Sequence, residues 1–124
     1  MSIAAGAAFK PHFDRDLSMT QLRGREWQLF RINETITFFP DETSWAIGEG
    51  IEIPAGFITD GPSVPRVFWN VIPVWGIGAL AGVLHDWLCC RIELHEPHPL
   101  APTRPDCDNM FSLANRALGV GPVA

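Results

Sequence analysis

Residues 26–53 read EWQLFRINETITFFPDETSWAIGEGIEI, and the alternation of apolar runs with turn residues in this stretch decides the class of fold. Glu26 to Ile32 and Thr35 to Phe39 are rich in β-branched and aromatic side chains, which suit a pleated, half-buried surface. Asn33-Glu34 between them supplies a short turn, so the pattern predicts two strands joined as a hairpin. Pro40-Asp41-Glu42 turns the chain, Ser44 to Ile47 reads as a further strand, and Gly48-Glu49-Gly50 turns it again before a strand at Ile51 to Ile53. Together these pieces predict a small antiparallel sheet in the N-terminal half.

Toward the C-terminus the apolar period becomes helical. Val67 to Val71 reads as a short helix with Ser63 as its N-cap, and Ile77 to Arg91 as a longer one with Leu80, Leu84, Trp87 and Leu88 on one side. Ile92 to Pro102 is proline-rich and reads as an irregular loop. Thr103-Arg104-Pro105-Asp106 is then a capping-box variant: Thr103 caps, Pro105 sits in the first turn, and Asp106 reaches back. A last helix over Arg104 to Leu118 follows, with Phe111, Ala114 and Leu118 toward the core and Gly119 as its stop. The expected fold is α+β, the sheet packed against two or three helices. Met1 to Gly24 is weakly patterned and reads as an arm preceding a single domain over residues 25–124.

Composition bounds the class of function. The chain has 124 residues, 47% hydrophobic and 19% charged, which is one folded domain rather than several or a disordered tail. Eleven glycines and eleven prolines argue against a helical bundle. A net charge of −5 without a Lys/Arg cluster lacks the footprint of a nucleic-acid reader. Three cysteines without CxxC spacing write neither a disulfide framework nor a zinc ribbon. The N-terminus has no basic n-region, so no signal peptide is expected. Val67 to Leu84 carries no formal charge over eighteen residues, yet Asn70, Pro73, Gly76, Gly78 and Gly82 interrupt it, and no membrane span is expected.

Three segments together resemble a known family. The run Ile53-Pro54-Ala55-Gly56-Phe57-Ile58-Thr59-Asp60-Gly61-Pro62-Ser63-Val64-Pro65-Arg66, then His85-Asp86-Trp87-Leu88, then Arg104 with Asp108 and Phe111, is similar in order and spacing to domain-of-unknown-function family 1353. The likeness covers roughly Trp27 to Val120. Departures are Gly61-Pro62, where the family often has an apolar residue and alanine, and Cys107, which replaces an alanine before Asp108. The resemblance implies a bacteriophage or prophage origin and supplies no reaction.

Two readings of these residues follow. Asp60, His85, Asp86 and Asp108 come from three elements and form a ligand set for a divalent zinc, manganese or magnesium ion, with Asp60, His85 and Asp86 as candidate catalytic groups. An open coordination position would activate water for hydrolysis. Alternatively the acids are architecture. Asp60 and Ser63 then form an Asx turn and an N-cap, and Arg66 and Arg104 pair with Asp60, Asp86 or Asp108 in a polar network that includes Thr59.

Weaker candidates are His95 and His98 with Glu93 and Glu96, read as a solvated loop, and Ser63 or Cys107 as nucleophiles lacking a GxSxG elbow or a basic neighbour. Cys89 and Cys90 read as packing at a helix end. Trp45, Trp69, Trp75 and Trp87 read mostly as core. The preferred expectation is a tail or baseplate component of a virion, binding other phage structural proteins through residues 1–24 or forming a homo-oligomer. The alternative is a small metal-dependent peptidoglycan hydrolase, placed in the host cytoplasm.

Overall fold

The computed structural model describes residues 9–22, 29–59 and 78–119. Six short strands precede two long helices: β1 (His12–Phe13), β2 (Met19–Leu22), β3 (Leu29–Ile32), β4 (Ile36–Phe39), the short helix α1 (Glu42–Ile47), β5 (Ile51–Ile53), β6 (Ile58–Thr59), α2 (Ala79–Glu93) and α3 (Arg104–Ala117). The class is α+β as expected. The strands form two antiparallel sheets, ordered β1-β4-β5 and β2-β3-β6.

The expected hairpin is therefore a correction. β3 pairs with β2 and β6, whereas β4 pairs with β1 and β5. The chain changes sheet at Asn33, whose backbone N–H bonds the Ser18 carbonyl and whose side chain bonds Thr20 and Ser18, tying that corner to β2. It changes back along Ile53-Pro54-Ala55-Gly56-Phe57. There the Phe57 N–H donates to the Pro54 carbonyl in a four-residue turn, and Gly56 at φ +92° supplies the positive φ that a type II turn needs at its third residue. Gly56 N–H and Phe57 C=O both bond Ile32, so the turn delivers β6 onto β3. The IPAGF stretch is thus the bridge between the sheets.

The N-terminal stretch expected as an arm supplies strands to both sheets. Phe13 pairs with Phe38 and stacks on its ring at 4.7 Å, and Asp14 accepts the Thr37 N–H through its carboxylate. Ser44–Ile47 is a second correction, being helical rather than extended. Asp41 accepts the Ser44 N–H at 2.7 Å in a capping box, and Gly48 at φ +71° closes the helix. Gly50 permits close approach of the chain entering β5: a Cβ there would lie 2.5 Å from the Phe38 carbonyl oxygen.

Ile32, Ile36, Phe38, Ile51 and Ile53 from the sheets meet Leu80, Ala81, Val83, Leu84 and Leu88 of α2 in one core, closed by Ala101, Cys107 and Ala114. α2 begins at Ala79 and ends at Glu93, two residues later at each end than the pattern predicts. α3 follows its reading closely: the Thr103 side chain accepts from Asp106 N–H, Asp106 accepts from Thr103 N–H, Pro105 lies in the first turn, and Gly119 adopts φ +84°. Phe111 departs from it, being 36% exposed instead of facing the core. Asp60, Ser63, Arg66, Trp69 and Trp75, and the short helix expected at Val67 to Val71, lie outside the described residues.

Candidate functional site

α2 carries His85 and Asp86 side by side, and 3.6 residues per turn sends neighbours about 100° apart. Asp86 turns to the sheet: its Oδ2 accepts the hydroxyl proton of Thr59, the last residue of β6, at 2.7 Å. Thr59 is 1% exposed, so this bond fastens α2 to the strand that leads directly to Asp60. His85 turns to α3, where Nε2 lies 2.8 Å from Asp108 Oδ1. Their side chains are 33% and 73% exposed, so the pair stands at the surface end of the helix seam. The Phe111 ring, one turn further along α3, covers the imidazole at 5.1 Å between centroids. That contact explains why Phe111 leaves the core.

Cys89 lies one turn after His85, with Sγ 3.7 Å from Nε2 and 3.9 Å from Nδ1. Near-equal distances place the sulfur between the two nitrogens rather than in line with either lone pair, which is not the alignment of a nucleophile with its base. Burial raises the Cys89 thiol above its ordinary value, although Arg104 pulls it down. Burial also pushes Cys107 up, to about 11, with Cys89 and Asp108 adding to the effect. Neither sulfur is a ready thiolate at neutral pH.

Among the described residues the doublet does not converge on one point, and no group of three His, Cys, Asp or Glu side chains is arranged to hold a metal ion. Arg104 extends to Glu93 at 3.5 Å, so Asp108 is held by His85 and not by this arginine. His98 accepts the Leu100 N–H on Nδ1 within its own loop, the Glu96 carbonyl accepts from Arg91, and these residues form no cluster with His95. Trp87 packs edge-on to Phe57 at 5.1 Å with Arg91 over its face. The expectation read Cys89 as packing at a helix end and missed its contact with His85 and the Phe111 cover; the spacing of four between His85 and Cys89 was the available signal.

The molecule is thus a two-sheet α+β domain whose helices are joined to each other and to β6 by polar pairs. The family model described as "Protein of unknown function (DUF1353)" matches residues 39–124, more than half of the chain, and the chain belongs to that family. The match takes in the bridge at Ile53 to Phe57, Thr59, the His85-Asp86 doublet and Asp108. No curated protein and no solved structure matches it.

Proposed function

We propose that the chain is an accessory structural module of a bacteriophage or prophage particle, in the tail or baseplate, acting through contacts with other particle proteins. The observation that carries this reading is how the motif side chains are used. Thr59 with Asp86 joins β6 to α2, and His85 with Asp108 joins α2 to α3. These four polar side chains of the motif each bridge two elements, which is what an architectural network does. Ile47, Ile58, Leu94 and Phe111 add exposed apolar surface for contacts. The test is mass spectrometry of density-purified particles induced from a lysogen encoding the chain. Its peptides are expected at fixed stoichiometry to the major tail protein, and their absence from particles would reject the reading.

A second reading, a metal-dependent peptidoglycan hydrolase, is favoured by one observation: the His85–Asp108 pair is open to solvent, and a carboxylate that orients an imidazole also raises its basicity as a ligand or base. In this reading Asp60, His85, Asp86 and Asp108 would supply the ligands of zinc, manganese or magnesium, and the ion would activate water. Turbidity loss of purified cell walls on addition of metal-loaded protein, abolished in His85→Ala, would establish it.

A further inference from the structure

A cleft of about 360 Å³ lies between α1 and the loop that follows α2, apart from the polar pairs that join β6, α2 and α3. Ile47 on one side and Pro99 and Leu100 on the other give it apolar walls, and Asp41, Thr43 and Glu49 give it a polar rim. Ile47 is 61% exposed, so part of the apolar wall stands open to solvent. Both walls are held in place. On the α1 side Asp41 accepts the Ser44 N–H, and the Glu49 N–H donates to the Ser44 carbonyl at 2.9 Å. On the loop side the Leu100 N–H donates to His98 Nδ1 and the Ala101 N–H to the His98 carbonyl. The charge of the cleft is one-sided: no lysine or arginine lines it, and among the described residues neither Asp41 nor Glu49 meets a cation.

We infer that this cleft docks an arginine side chain carried by a partner protein, its stem against Ile47, Pro99 and Leu100 and its guanidinium at Asp41 and Glu49. An apolar cleft edged by carboxylates complements a side chain with an apolar stem and a cationic head. Arginine suits it better than lysine, because a planar fork of five N–H donors serves two carboxylates and the Thr43 hydroxyl together, whereas an ammonium is a compact point charge. The volume holds one long side chain, so the cleft anchors a wider interface in the way that buried arginines do at protein contacts. The inference rests on the reading of the chain as a contact module and adds the chemistry of one contact, at Ile47. The two fail separately: particle composition tests membership of the particle, and binding in solution tests the cleft.

The test titrates the isotope-labelled full chain at low salt with N-acetyl-arginine amide, and in parallel with the lysine and citrulline analogues, and follows amide shifts by NMR. Saturable shifts confined to residues 41–50 and 98–101 are expected with arginine, weaker binding with lysine, and none with citrulline, which keeps the planar shape and loses the charge. Glu49→Gln and Ile47→Ser alter exposed side chains and should each weaken arginine binding by about three- to fivefold, with the rest of the spectrum unchanged. Arginine shifts that do not saturate, shifts spread over acidic residues elsewhere, or equal binding of citrulline would each overturn the assignment. The titration of the unaltered chain decides the matter even if a variant fails to fold.

Discussion

Single side chains carry unequal weight around α2. The Thr59 hydroxyl is buried and its partner Asp86 is a carboxylate, so Thr59→Val removes a charge-assisted bond from a half-buried place. A loss of about 1–3 kcal/mol in urea unfolding is expected. His85 and Asp108 are more exposed, and solvent screening limits their pair, so Asp108→Asn should cost under about 1 kcal/mol in the same assay. Equal losses in the two variants would mean that the surface pair is as important to the fold as the buried one. Glycines add a second contrast. Gly50→Ala forces a Cβ against the Phe38 carbonyl and should cost about 2–3 kcal/mol, whereas Gly56→Ala meets no atom and bears only the strain of positive φ, about 1–2 kcal/mol.

At the scale of elements, caps and loops govern what the sequence reveals. α3 was legible because Thr103, Pro105 and Asp106 write its start in chemistry that acts locally, and Gly119 writes its end. α1 was not, although Asp41 and Ser44 stand at capping-box spacing, because six residues with Trp45 and Ile47 also suit a strand. The hairpin failed for a different reason. β3 and β4 both have strand chemistry, but β3 pairs with β2 and β6 while β4 pairs with β1 and β5, and no turn residue states that the chain changes sheet at Asn33. Of the candidate site, the doublet at His85 and Asp86 was legible from its resemblance, while its division between β6 and α3 depends on helix rotation and packing.

The loop after α2 yields a pH prediction. His98 is half-buried and accepts the Leu100 N–H on an unprotonated Nδ1, and burial, with Arg91 nearby, lowers its pKa from the ordinary 6.5. The unfolded chain therefore binds this proton first as pH falls. Stability from His98 is complete above about pH 6.5 and declines below it until the folded imidazole protonates. Urea midpoints between pH 7.5 and 5 should fall less in His98→Asn, whose amide oxygen keeps the acceptor without the titration.

For the whole molecule, the N-terminal strands decide how the domain is bounded. His12–Phe13 and Met19–Leu22 each form an edge of one sheet, and Phe13, Leu17 and Met19 pack against the core. Removing residues 1–24 should therefore lower Tm markedly and broaden unfolding, because each sheet loses a strand. An unchanged Tm would show that this segment is an appendage that merely rests on the domain. No helix among the described residues is long and apolar enough to cross a membrane.

Whether the motif residues bind the fold together or bind an ion is the central question, and elemental analysis of natively purified protein, paired with thermal melting with and without a chelator, addresses it most directly. If the Thr59–Asp86 and His85–Asp108 pairs are architecture, the protein carries no stoichiometric divalent metal, the chelator leaves Tm unchanged, and Asp86→Asn and His85→Ala only lower it. One equivalent of zinc or manganese, lost in both variants and on chelation, would contradict that account and establish a metal centre.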